Sequence, residues 1–213
     1  MVAVDTLGVA LPEAMYYLTR KFKEWFNVPV HIHCHNDFGL GTACELAAIT
    51  AGAEWAHVTV NGLGEKAGNT DLSELVLSLY ILYGIDSGLK YDMLVEVSKL
   101  VERLSGIKLP PYKPIVGDNI FKRESGVAVL QLIRHPPAVE SFLPELVGAK
   151  REIVLGKKSG RHSIEWKLKS LGVTANEDQV ETILNRMKAL SESKKGLVSI
   201  REFKDIVKQI CLK

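Results

Sequence analysis

Apolar positions in the first third of the chain alternate between two rhythms. Short β-branched runs at residues 2–4, 30–33 and 57–60 have the length and composition of strands. After each comes a longer segment with apolar residues at helical spacing, which predicts helices over 12–26, 40–51 and 71–83. Pro12 suits the first turn of the first of these, because its missing N–H would have no partner there anyway. The strands recur at intervals of roughly 28 residues, the size of a strand–crossover–helix unit in a parallel sheet.

Beyond Gly84 the rhythm changes. Residues 91–104 predict a helix, and Leu109-Pro110-Pro111-Tyr112-Lys113-Pro114 a stiff connector. An apolar stretch over 127–133 follows. A glycine-flanked turn at 155–161 then leads into a helix ending near Leu171. Two helices close the chain, with capping-box signatures at Thr174 with Glu177 and at Ser199 with Glu202. The expected organisation is a partial α/β barrel over 1–84, then a helical linker and subdomain over 85–213.

The polar residues fall in a consistent place. In all three early units they follow the strand: Asp5-Thr6-Leu7-Gly8, then His33-Cys34-His35-Asn36-Asp37, then Asn61-Gly62-Leu63-Gly64-Glu65-Lys66-Ala67-Gly68-Asn69. Parallel α/β folds carry their chemistry at the C-terminal ends of strands. His31, His33 and His35 alternate, and side chains at i and i+2 of a strand share a face, so one strand can aim two imidazoles at one ion. Imidazole suits zinc, manganese or iron. A polar interior lining is the competing reading, and spacing alone leaves the two even. His31 sits deeper than His33, and core packing is its expected role. Cys34 points to the opposite face and is expected beneath a helix.

Composition narrows the partners. With 46% hydrophobic and 24% charged residues, the 213-residue chain can bury the core of one domain, or of a domain with an appendage. The net charge is +2 and the lysines of the last third lack an arginine–aromatic pattern, which argues against nucleic acid. Cys34, Cys44 and Cys211 have no paired spacing, as expected of reduced thiols in the cytoplasm. No apolar run reaches membrane-spanning length, and the N-terminus lacks a signal peptide's basic start. Gly156-Lys157-Lys158-Ser159 echoes a phosphate loop, but Arg151 stands where its first glycine belongs.

Taken in order, the motifs resemble those of the metal-dependent α-isopropylmalate, homocitrate and citramalate synthases, part of a wider group that includes hydroxymethylglutaryl-CoA lyase. Pro114-Ile115-Val116-Gly117, Glu124-Ser125-Gly126, Leu146-Val147-Gly148 and Leu155-Gly156-Lys157-Lys158-Ser159-Gly160 are similar to the synthases' helical subdomain, which the lyases lack. The resemblance covers about residues 1–172. It implies an α/β fold made of the last three βα units of a TIM-type barrel, strands 6–8, followed by a small, mainly helical subdomain. It also implies that His33 and His35 ligate a divalent cation (Mg, Mn or Zn) and that Asn69 approaches it through its amide oxygen. Thr6 would bind the carboxylate of a 2-oxo acid, and the backbone of Gly62 to Gly64 would lie beside an acyl-CoA. Asp37 and Glu65 would orient the ligands. The implied reaction is a Claisen-type condensation in amino-acid biosynthesis, in which the enolate of an acyl-CoA, acetyl-CoA by the resemblance, attacks the ketone of the 2-oxo acid and hydrolysis of the thioester follows.

Two departures from the family pattern bear on activity. The family's first strand carries an Arg-Asp-Gly segment with an aspartate ligand, which nothing here replaces. The chain alone is therefore expected to be inactive and, having unpaired strand edges, to associate with itself or with a complementary N-terminal barrel subunit. The synthases' histidine two residues after Ser-Gly is here Ala128, and their tyrosine–glutamate pair reads Val139-Glu140. Neither alanine nor valine transfers protons; His135 is the local candidate for that task, against the reading of an exposed loop histidine. The alternatives are a carbon–carbon lyase or aldolase of the same barrel group, and a non-catalytic partner subunit.

Overall fold

Alternation along one strand organises the first sheet. In β2 (His31–Cys34), Ile32 and Cys34 are fully buried while His31 and His33 are partly exposed. A computed structural model describes residues 1–211 and pairs β2 in parallel with β1 (Val2–Asp5) and with β3 (Trp55–Ala56), in the order β1-β2-β3. Val30, Ile32 and Cys34 pack with Ala3 against Met15 of α1 (Pro12–Trp25) and against Cys44 and Ala48 of α2 (Gly41–Thr50). Burying a Val or Ile side chain contributes about 1.5–3 kcal/mol. A one-residue slip would exchange this apolar set for the histidines, so packing on one face fixes which residues the other presents.

The third strand is displaced from its expected position. It occupies Trp55–Ala56 rather than 57–60, and Val60–Gly62 forms a 3-10 turn. The cause is competition for hydrogen bonds. His57 N still donates to Ile32 O, but beyond it the Cys34 carbonyl accepts from Thr70 N. Thr59 meanwhile exchanges backbone bonds with Thr70 and Leu72 of its own loop. The Cys34 amide donates instead to Glu45 Oε1, at 3.2 Å, from α2. His31 also departs from expectation: it is half-buried, not core, and stacks on Trp55, which is 61% exposed. The histidine face of the sheet is not covered by the helices that cover its other face.

α3 (Leu72–Tyr83) starts at Asp71, whose carboxylate accepts the Glu74 amide, and stops at Gly84 in the left-handed region. Lys113 of the proline-rich connector reaches back to Asp71 at 3.1 Å and Glu74 at 2.8 Å. α4 (Leu94–Ser105) follows a short 3-10 turn at Tyr91–Met93. These elements belong to a compact unit over Met1–Ile120; a second begins at Phe121.

In the second unit, β4 (Lys122–Arg123) pairs in parallel with β5 (Glu152–Ile153). Four helices complete it: α5 (Gly126–Arg134), α6 (Arg161–Ser170), α7 (Glu177–Lys194) and α8 (Ile200–Cys211). Phe203, Ile164, Ile183 and Met187 are fully buried at its centre. Gly126 and Gly160 cross so closely that a Cβ on Gly126 would lie 2.9 Å from Gly160 Cα. Glu124 Oε1 accepts the Lys158 amide at 2.8 Å. The Glu-Ser-Gly and Gly-Lys-Lys-Ser-Gly motifs are thus two halves of one clasp, not a phosphate loop. The expected cap at Ser199 with Glu202 is present. The other lies two residues later than expected, at Asn176 with Gln179, because Asn176 takes the extended backbone of a cap and the helix begins at Glu177. Among the described residues, no helix is long and apolar enough to cross a membrane.

Candidate metal centre

The ends of β1 and β2 and the loop after β3 meet at one rim. An antiparallel bridge joins His35 to Asn69, and Asn36 N donates to Gly68 O at 3.0 Å, so the loop's last residues lie against the histidine strand. Two glycines make this approach possible. A Cβ on Gly64 would fall 1.9 Å from Asn69 Oδ1, and one on Gly68 would fall 2.0 Å from Gly62 O. Gly62, at φ 68°, accepts the Asn69 amide on its carbonyl. The glycine spacing of the motif therefore places the Asn69 side chain, which is 7% exposed.

His33 and His35 have ring centroids 5.2 Å apart and planes 87° apart. Asn69 Nδ2 stands 3.5 Å from His33 Nε2, too long for a firm hydrogen bond. His33 Nδ1 and His35 Nδ1 are buried without a hydrogen-bond partner. Leaving such atoms unpaired costs about 1–3 kcal/mol each, and a ligand that engages them recovers it. Burial, and then the neighbouring His35 and His57, hold the His33 pKa below its ordinary value. That favours neutral imidazole, the form that binds metal. Two imidazoles suit a divalent cation of borderline softness, and Asn69 would join them through its amide oxygen only after turning its side chain, since Nδ2 is the atom that faces His33. Among the described residues no three His, Cys, Asp or Glu side chains converge, so the set has no anionic member.

The other expected site residues are arranged around this pair. Thr6 is exposed at the end of β1, and its carbonyl accepts Lys66 Nζ at 2.6 Å. The same ammonium pairs with Asp37 Oδ2 at 2.8 Å, so Lys66 ties the three strand-end segments together. Asp37 thus engages Lys66, not an imidazole. Glu65 is exposed, and its carbonyl accepts the Gly68 amide. Cys34 is buried under α2 as expected; burial, followed by the charge of Glu45, drives its thiol pKa far up. His135 is exposed at the C-terminal cap of α5, and Ala128 lies in that helix. Glu140 is buried, with both carboxylate oxygens 2.7 Å from Arg151.

Sequence reasoning missed His57 and Glu45. The His57 ring lies 5.7 Å from that of His33, and its isolated position after an alternating strand gave no sign of this. Glu45 was masked by the alanine-rich stretch around it, although a carboxylate inside an apolar helix face signals a buried acceptor role.

Comparison with known proteins adds the following. The HMGL-like family pattern matches residues 2–101, and the homocitrate synthase post-HMGL domain-like pattern matches residues 115–195. The chain is 47% identical over 210 residues to a 2-isopropylmalate synthase of Methanocaldococcus jannaschii, covering 97% of this chain and 40% of that protein. A homocitrate synthase of Methanopyrus kandleri is 43% identical over 98% of this chain and 52% of its own length. An (R)-citramalate synthase of M. jannaschii is 45% identical over 88% of this chain and 38% of its own. The chain thus spans about 40–50% of the length of these relatives.

Proposed function

Because residues 2–101 belong to the HMGL-like family and residues 115–195 to the homocitrate synthase post-HMGL domain-like family, we propose that this chain is the carboxy-terminal portion of a divalent-metal-dependent acyltransferase. The reaction we assign to it joins an acyl-CoA, acetyl-CoA first among them, to a 2-oxo acid. One observation carries this reading: His33 and His35 hold their rings side by side at the strand ends, centroids 5.2 Å apart, with the Asn69 amide 3.5 Å from His33 Nε2.

His33, His35 and Asn69 would hold the cation. A bound divalent cation supplies Lewis acidity toward a ketone oxygen. Thr6 presents its hydroxyl at the exposed end of β1 to the carboxylate of the oxo acid, and Lys66 fixes that end through the Thr6 carbonyl. A thioester would lie against the backbone of Gly62 to Gly64 on the side that Asn69 does not fill. Two needs remain unmet by these residues. The donor set has no carboxylate, and the second unit offers Ala128 and Val139 where proton transfer would be required, with Glu140 engaged by Arg151. Further strand–helix units, joined to the free edges of the three-stranded sheet, meet both needs in this proposal. A carbon–carbon lyase of the same group is the second reading, favoured by Ala128 and Val139 alone.

Release of free CoA thiol tests the proposal. The assay contains acetyl-CoA, a panel of 2-oxo acids and Mn2+ or Zn2+. It is run on the chain alone, and then on the chain mixed with the complementary strand–helix units of a related 2-isopropylmalate synthase. We expect no turnover alone, turnover on mixing, and its loss in His33→Ala. Turnover by the chain alone would overturn the requirement for further units. Carbon–carbon cleavage without condensation would select the lyase.

A further inference from the structure

One side chain of the first unit reaches the histidine strand from beneath. His33 and His35 flank Cys34, so the peptide groups of Cys34 set how the two rings stand to each other. In a parallel sheet such groups are held by a neighbouring strand. β3 makes its last bond of this kind from the His57 amide to Ile32 O and then turns away. The groups of Cys34, one step further on, have other partners. The carbonyl accepts Thr70 N at 3.3 Å, and the amide donates to Glu45 Oε1 at 3.2 Å.

The same junction carries the third candidate donor. Thr70 follows Asn69, and an antiparallel bridge joins Asn69 to His35. Thr70 is fully buried, with its hydroxyl beside the Glu45 carboxyl. His33, His35 and Asn69 thus lie on two segments that meet at one point, and the side chain beneath that point is Glu45.

Core packing does not account for a glutamate here. Glu45 is 0% exposed on α2, whose other buried residues are Gly41, Cys44 and Ala48. A buried carboxyl costs free energy in either state: charged it is desolvated, and neutral it is protonated against its ordinary pKa. Its Oε2 is moreover buried without a hydrogen bond. An apolar side chain of the same length would fill the space without these costs, but would leave the Cys34 amide unpaired. The bond to the strand is therefore what the glutamate contributes.

We propose that Glu45 is a positioning residue of the metal centre. Its carboxyl takes the place of the strand partner that β3 does not extend to provide, and by holding the Cys34 amide it keeps His33 and His35 in the orientation that serves one ion. The proposal rests on the metal reading and adds to it a residue that touches no ion. Glu45 lies on the helix-covered face of the sheet, so its role is the same whatever further strands join the edges.

The test uses the full chain at neutral pH with Zn2+ as the probe. Calorimetric titration gives the affinity, circular dichroism and urea unfolding report the fold, and amide hydrogen exchange follows Cys34. Glu45→Gln keeps an acceptor oxygen of the same reach, whereas Glu45→Met keeps the length and offers only a weakly accepting sulfur. We expect Glu45→Gln to bind Zn2+ as the unaltered chain does. Glu45→Met should bind it about 10–100-fold more weakly, the loss typical of removing a ligand's support. A purely structural role would shift the urea midpoint and leave the affinity of the folded chain unmoved. Full Zn2+ affinity in a folded Glu45→Met would therefore overturn the proposal. So would an equal loss in Glu45→Gln, which would assign the effect to the carboxyl itself and not to an acceptor for Cys34.

A measurement on the unaltered chain is independent of how the variants fold. If the hold on Cys34 strengthens metal binding, the ion strengthens that hold by the same factor. Saturating Zn2+ should slow exchange of the Cys34 amide at least about tenfold beyond the other amides of β2. No such difference would overturn the proposal. An unaltered chain that binds no Zn2+, or binds it equally well as His33→Ala, would instead strike the metal reading, and this proposal with it.

Discussion

The rim of the first unit and the clasp of the second are both built from polar residues and closely packed glycines, yet they treat their polar atoms in opposite ways. In the clasp, Glu124 takes the Lys158 amide and Ser159 Oγ takes the Gly156 amide, and elsewhere in the same unit Glu140 takes two nitrogens of Arg151. At the rim, the buried nitrogens of His33 and His35 are left over after the backbone is satisfied. A folded chain loses stability by leaving such groups unpaired, so it is the unpaired region that invites a ligand. Motifs of similar appearance thus separate into a fastening and a site once their hydrogen bonds are followed.

A large stability effect at fixed pH is expected where pairing is complete. Glu140→Ala leaves the Arg151 guanidinium without its carboxylate. Losing one partner of a fully buried pair costs about 3–5 kcal/mol, and a value of about 2–3 kcal/mol is expected here because the Arg151 side chain is 31% exposed. Urea unfolding of the chain measures it. Replacing both members by apolar residues, Glu140→Leu with Arg151→Met, should recover most of the loss, while Zn2+ binding stays as in the unaltered chain. A change in metal affinity would break the separation of the two regions.

An effect of comparable size, read across pH, comes from Glu45, the acceptor under β2. Burial pushes its carboxyl up to about 8, against the opposing pull of the Cys34 amide. A carboxyl whose folded pKa lies above its unfolded value adds stability fully at pH below the unfolded value, near 4.5, and loses it as pH rises through about 8. The chain should therefore lose on the order of 2–4 kcal/mol between pH 5 and pH 9 through this group. Glu45→Gln keeps an acceptor oxygen for Cys34 N and removes the charge, so its stability should be flat over the same window. Parallel pH profiles for both proteins would contradict this role.

Much of this arrangement was legible in the residues. Alternation at Ile32 and Cys34 against His31, His33 and His35 determined the two faces of β2, because burial punishes a register error. Helix positions followed from periodicity, and the polar clusters followed strands, as parallel folds require. Tertiary competition was not legible. Nothing local showed that Thr70 would take the Cys34 carbonyl, shortening β3, or that Asn176 would outcompete Thr174 as a cap. The uncovered histidine face was equally hidden, since a sequence predicts which residues share a face but not what lies opposite it. Trp55 beside His31 and His57 beside His33 are contacts between segments more than twenty residues apart, brought together by strand order alone.

The smallest stability effect, with the largest functional one, belongs to His33→Ala. The ring is partly exposed, its Nδ1 has no partner, and its nearest amide stands at 3.5 Å, so its removal breaks no firm hydrogen bond. Its buried Nδ1 already goes unpaired in the fold, so unfolding free energy should change by less than about 1 kcal/mol, in either direction. Affinity for Zn2+ should nonetheless fall by more than the 10–100-fold typical of disturbing a residue that only supports a ligand. Calorimetric titration and urea unfolding on the same preparation separate the two quantities. A residue held for packing would give the reverse pattern, a loss of stability with Zn2+ affinity unmoved, and that outcome would remove the functional distinction between the rim and the clasp.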